Sequence, residues 1–174
     1  MKALVVFESL FGNTAAVGEA VATSLRAHGV DAEAVPVDHL DPATVAEVDL
    51  LIVGGPTHAH GMSRQATRRA GVKDETNTYP EPTIDPGLRE WFDRVPPGNG
   101  RPAAAFDTRF DKAEWLTGSA AKGIAKRLGR DGFRLVAHPE SFFVTTENAL
   151  EEGELEHAER WAVRLTELTS TKTS

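Results

Sequence analysis

"LVVFESLFGNTAAVGEAVA", residues 4–22, changes character twice within nineteen positions. Residues 4–7 are a short continuous apolar run, whereas Ala16, Val17, Ala20, Val21 and Leu25 recur at helical spacing. Glu8, Ser9, Gly12, Asn13 and Thr14 separate the two patterns. The stretch predicts a strand, a sharp loop and a helix. A helix that begins straight after a strand presents unpaired N–H groups and the positive end of its dipole, which together suit a phosphate. Gly12 lets the backbone approach an anion, and Ser9, Asn13 and Thr14 add hydroxyl and amide donors. No Lys or Arg lies in the loop. The P-loop lysine and the third glycine of a dinucleotide fingerprint are both missing, which favours a single phosphate monoester over a nucleoside triphosphate or a pyrophosphate. Ser9 and Asn13 serve equally well as plain helix caps.

Strands and helices continue to alternate along the chain, without an internal repeat. A second strand is expected over residues 32–37, a short helix over 42–47, and the clearest buried strand over 48–53, in "VDLLIVGGP", ended by Gly54, Gly55 and Pro56. Residues 63–86 are polar, arginine-bearing and proline-dotted without a sustained period, and are expected to be a long insertion or lid, mobile and open to protease. A helix over 87–94, a strand over 102–106 and a helix over 119–128 follow. "FRLV" and "SFFV" are either two pieces of one last strand or a strand and its extension. The final helix, 154–168, is expected to turn Leu155, Ala158, Ala162 and Leu165 inward, before a frayed polar tail at 169–174. Strands alternating with helices predict one α/β domain, residues 1–169, whose parallel sheet is covered on both faces. Ligands of such sheets bind beyond the carboxyl ends of the strands, at the switch in strand order. That directs attention to the loops at 9–14, 54–63 and 107–114.

Composition narrows the chemistry. The 174 residues include no cysteine, which removes disulfides, Fe–S clusters, thiolate metal sites and thiol nucleophiles, and is compatible with a reducing cytoplasm. The net charge of −7 argues against general nucleic-acid binding and suits a basic protein partner. No apolar run approaches the length that spans a bilayer, so no membrane insertion is expected.

"VVFESLFGNT" resembles the phosphate loop of the flavodoxin family, usually written [ST]-x-[TY]-G-x-T, and "GGPTHAHGMS" resembles that family's second flavin loop, G-x-P-T followed by an aromatic residue. The resemblance implies a flavodoxin-like three-layer sandwich with a five-stranded parallel sheet of order 2-1-3-4-5, and a bound FMN. It implies that Ser9, Leu10, Phe11, Gly12, Asn13 and Thr14 surround the phosphate. Thr57, His58, Ala59, His60 and Gly61 would border the isoalloxazine ring, Asp107 and Thr108 would meet its polar pyrimidine edge, and Pro56 and Arg109 would belong to the same flavin site. Phe11 stands where the family often has a hydroxyl, leaving more of the phosphate to backbone N–H groups. His58 replaces the usual Trp or Tyr. In "FDTRFDKAEW" the usual glycine- and tyrosine-containing third loop is absent, with Phe110 or Trp115 available for stacking.

Other residues have plainer readings. His58 and His60 make a poor zinc site without a placeable third ligand, and His138 is either such a ligand or a polar residue at a strand end. Trp91, Trp115 and Trp161 are expected in or near the core. Arg64, Arg68 and Arg69 are either a solvated basic stretch or a site for the 2′-phosphate of NADPH. The function implied is a one-electron carrier working with a basic reductase and an electron acceptor, with Asp107, Asp111 and Glu114 as its acidic rim and with Gly61 able to flip its peptide toward a reduced flavin N5–H. The alternatives are a flavodoxin-like NAD(P)H:quinone or FMN reductase and a flavin-free interaction module.

Overall fold

The computed structural model describes residues 1–58 and 60–170. Its sheet starts with β1 (Lys2–Phe7), paired in parallel with β2 (Asp31–Pro36) on one side and β3 (Leu50–His58) on the other. Beyond β3 lies β5 (Pro102–Phe110), and the last position is filled by β6 (Arg134–Leu135) and β7 (Glu140–Val144), both parallel to β5. With β6 and β7 counted as one interrupted strand, the five parallel positions run 2-1-3-4-5. The pieces "FRLV" and "SFFV" are thus two segments of one edge position, separated around Pro139. A two-residue β4 (Gly61–Met62) folds back antiparallel onto the end of β3.

Alternation along the strands supplies two cores. Ala3, Val5 and Phe7 point toward α1 (Asn13–Ala27) and α6 (Glu154–Ser170), where Val17, Val21, Leu25, Ala158, Trp161 and Leu165 are buried. Leu4 and Val6 point the other way, toward α3 (Leu88–Phe92) and α5 (Ala120–Arg130), and pack with Leu88, Trp91, Phe92, Ile124 and Leu128. Trp161 meets Phe106 and Phe142 edge-on at 5.9 Å.

Several sequence-based expectations are corrected. The third strand does not stop at Val53, because Gly54, Gly55 and Pro56 are held in register with β5, and Gly54 also with β1. Pairing with β5, and at Gly54 with β1 as well, overrides their breaker character. The fourth strand likewise continues to Phe110, drawing Asp107, Thr108 and Arg109 into regular structure. Segment 63–86 contains α2 (Gln65–Val72), whose Arg68 is fully buried. Residues 42–47 form a 3₁₀ turn, and the helix expected over 87–94 is shorter. Leu155 is 43% exposed rather than inward, and Trp115 is 81% exposed rather than in the core, whereas Trp91 and Trp161 are buried as expected. Helix α6 includes Thr169 and Ser170, and residues 171–174 lie outside the described part. Among the described residues no helix is long and apolar enough to cross a membrane, and no group of three potential ligands of the His, Asp and Glu type could hold a metal.

Candidate flavin site

At the carboxyl end of β1, Gly12 adopts φ +90, a left-handed conformation that glycine adopts freely. A Cβ there would also stand 2.8 Å from the Tyr79 ring. The turn starts α1 directly. The N–H of Ser9 donates to Thr83 Oγ1, that of Gly12 to Ser9 Oγ and that of Ala16 to the Gly12 carbonyl. Among the described residues, the N–H groups of Leu10, Phe11, Asn13, Thr14 and Ala15 have no acceptor. Five unpaired donors in one turn are more than solvent exposure of a helix end supplies by itself, because Leu10 and Thr14 are each only 1% exposed.

These groups border a cleft of about 290 Å³, lined by Ser9, Leu10, Phe11, Asn13 and Thr14 from the first loop, Pro56, Thr57 and His58 from the end of β3, and Thr108 and Arg109 from β5. Phe110, Val144 and Asn148 complete it. A second hollow of about 420 Å³ shares Thr57, Arg109 and Phe110 with the first and extends to His60, Lys112, Leu116 and Thr117. Ten of the fifteen residues singled out in the sequence therefore line one cleft. Gly12 forms its turn, His60 lines the adjoining hollow, and Gly61 pairs with His58 in β4. Ala59 lies outside the described residues. The left-handed residue of this hairpin is His60, at φ 73, and not Gly61.

Asp107 corrects the expectation for the third loop. It is fully buried, so it neither faces the cleft nor belongs to an acidic rim. Its Oδ2 accepts from Thr57 Oγ1 at 3.0 Å, Ser119 Oγ at 2.7 Å and the Ala121 N–H at 2.9 Å. Thr57 Oγ1 in turn accepts the Ala120 N–H. Asp107 thus ties β3 to the start of α5 and fixes the cleft wall from behind. Glu114 is paired with Lys122. No carboxylate lines either hollow. The charged or ionisable side chains that do so are His58, His60, Arg109 and Lys112. Burial, with the Arg68 charge adding to it, holds His58 below the ordinary imidazole range, so it is neutral at neutral pH.

The hydroxyls of Thr14 and Thr108 share one hydrogen bond of 2.8 Å, and Asn13 Nδ2 donates to the Asn148 carbonyl. Asn148, which adopts φ 57, carried no sequence signal because it reaches the cleft from the loop after β7. From outside, the Thr83 N–H donates back to the Ser9 carbonyl, and Asn77 Nδ2 donates to that of Leu10. The 63–86 segment therefore braces the first loop. Its anchor is Arg68, which donates to the Ile84 carbonyl, Ser63 Oγ and Glu90 Oε2, and lies 3.9 Å from Glu8. The NADPH-phosphate reading fails for Arg68, since its guanidinium is enclosed and paired.

Glu8 is 1% exposed, and burial raises its carboxyl above the ordinary range, against the opposing pull of Ser63, the Leu88 N–H and Arg68. A raised folded value gives stability that is fully present below the unfolded pKa and is lost as pH rises through the folded one. Glu8→Gln removes that titration. Urea unfolding should show the variant gaining on the parent as pH rises from acidic to neutral, the difference cancelling the opposite slope of His58. A constant difference across that range would mean that folding leaves the Glu8 pKa unchanged.

An open parallel sheet with an anion-ready helix start at its switch point is a doubly wound arrangement with room for a phosphorylated ligand. Residues 5–86 match the model of the flavodoxin family. The match spans just under half of the chain, and solved flavodoxins share its fold over nearly the whole length. An archaeal flavodoxin superposes with a TM-score of 0.67 at 20% identity, covering 98% of this chain and 99% of that one. Flavodoxin 1 from Bacillus cereus gives 0.71 at 16% identity, covering 96% and 98%. Rubredoxin oxygen:oxidoreductase from Desulfovibrio gigas gives 0.62 at 17% identity, covering 99% of this chain but 37% of its own. No curated protein matches the chain in sequence.

Proposed function

We propose that the chain is an FMN-binding electron carrier that passes single electrons between redox partner proteins in the cytoplasm. The observation that carries this reading is the turn at residues 10–15, where four of the five residues with unpaired N–H groups, Leu10, Phe11, Asn13 and Thr14, line a carboxylate-free cleft. Such a donor set fits a phosphate monoester, and the two joined hollows offer a neutral imidazole and the Phe110 ring along a path suited to a flat heterocycle. Ser9, Thr14 and Thr108 would add hydroxyl donors at the phosphate end, while Pro56, Thr57 and His58 would flank the ring. FMN supplies reversible one- and two-electron chemistry, and the protein's part is to hold it, shape its exposure and set the surrounding charge. The overall charge of −7 would speed encounter with a basic reductase and make the rate fall with added salt.

Stepwise anaerobic reduction of the FMN-loaded protein with dithionite tests the carrier assignment. The expected course shows a one-electron-reduced flavin spectrum near half reduction, and NADPH alone leaves the flavin oxidised. Rapid direct reduction by NADPH with no radical spectrum would instead assign a nicotinamide-dependent reductase.

A further inference from the structure

We propose that Arg109 is a tuning residue that stabilises the reduced, anionic form of a flavin bound in this cleft; the proposal rests on the FMN reading above. Arg109 follows Asp107 and Thr108 at the end of β5 and lines both joined hollows. Its guanidinium is held in place by Nε–H donation to Ser141 Oγ at 3.1 Å, by Nη1 donation to the Lys112 carbonyl at 2.9 Å and to Thr117 Oγ1 at 3.3 Å, and by stacking 5.0 Å over the Phe143 ring. No contact described for it involves the second terminal nitrogen, Nη2.

What sets this cation apart is its place in both hollows, without a counter-charge. Arg68, Arg127, Arg130 and Lys122 each lie against a carboxylate, whereas Arg109 forms no ion pair among the described residues. Asp107, two residues earlier, directs Oδ2 to Thr57, Ser119 and Ala121. The other ionisable side chains of the two hollows are His58, His60 and Lys112, and none is acidic. A protein of net charge −7 has therefore kept carboxylates out of this cleft and placed a fixed guanidinium in it. Two electrons and one proton added to a neutral oxidised flavin place the proton on N5 and leave one negative charge on the N1–C2=O edge. A half-buried cation in the same cleft favours that product over the neutral reactant, with dithionite as the reductant in the test and a protein-borne electron donor in function.

The test compares the parent, Arg109→Gln and Arg109→Lys, each loaded with FMN and, separately, with riboflavin, by measuring the two-electron midpoint potential against reference dyes. The expected result is that Arg109→Gln makes reduction about tenfold less favourable, which is about 30 mV for a two-electron couple, with either flavin. Arg109→Lys should keep most of the parent value, which a merely structural role of the guanidinium would not. An unchanged potential in Arg109→Gln overturns the proposal, as does a loss confined to FMN affinity, which would assign Arg109 to the phosphate. If the parent binds neither flavin, the FMN reading fails and this proposal with it; if flavin binds and the potential does not move, this proposal alone fails.

Discussion

Arg68→Met is expected to destabilise the protein by about 3–5 kcal/mol, the cost of breaking the hydrogen-bonded network around a buried guanidinium and leaving buried Glu8 without its cation. The side chain is fully enclosed and satisfies the Ile84 carbonyl, Ser63 Oγ and Glu90 at once, with Glu8 at 3.9 Å and Asp85 at 3.8 Å. Methionine fills much of the volume and meets none of these acceptors. Space for the arrangement depends on Gly87, where a Cβ would come within 2.2 Å of Arg68 Nη1. Because the same segment donates to the Ser9 and Leu10 carbonyls, the first loop should loosen as well. Urea unfolding gives the stability, and trypsin gives the location: in the variant, cleavage at Arg64, Arg69 or Lys73 should become fast under native conditions. A loss under 1 kcal/mol would mean that the cluster is relaxed by water and that the segment does not brace the loop.

The second large effect is expected from Asp107→Ala, at about 3 kcal/mol, because the Ala121 N–H is stranded in the interior and two hydroxyls must find new partners. The loss should be felt at the cleft. Thr57 is held between Asp107 and the Ala120 N–H, so removing the carboxylate frees one wall. Flavin affinity should fall for FMN and riboflavin alike, since the damage lies on the ring side and not at the phosphate end. Asp107→Asn should recover much of the loss, because all three donors fall on Oδ2 and Oδ1 has no partner, so the amide oxygen can take the Oδ2 place. An Asp107→Ala variant of parental stability would show that Ser119 and Thr57 carry the wall without it.

Much of this architecture was legible in the sequence where one physical signal dominated. The apolar run at 4–7 and the helical spacing after Asn13 placed β1, the turn and α1, the strand–helix alternation implied a parallel sheet covered on both faces, and the resemblance to the flavodoxin family implied its 2-1-3-4-5 order. Signals failed where long-range pairing outweighs local preference. Gly54 and Pro56 read as strand breakers yet sit in register with β5. The polar 63–86 segment read as solvated, because a guanidinium buried by four distant partners leaves no local pattern. Asp107 read as a ligand-facing acid, and only its three donors, from β3 and the start of α5, show it turned inward. Arg109 was placed in the flavin site, but the lack of a counter-charge around it is a property of the assembled cleft.

The central claim, that the turn at residues 10–15 holds the phosphate of FMN, is tested most directly by titrating FMN and riboflavin into the parent and Thr14→Val and following flavin fluorescence. Thr14 shares its hydroxyl with Thr108 at the mouth of the turn, and losing one donor to a charged phosphate should cost about 1.5–3 kcal/mol, roughly ten- to a hundred-fold in dissociation constant. The account predicts one FMN per chain, weaker riboflavin binding, and a loss in Thr14→Val confined to FMN. Equal affinities of the parent for the two flavins, with equal losses in Thr14→Val, would contradict it and leave Thr14 a residue of the fold alone.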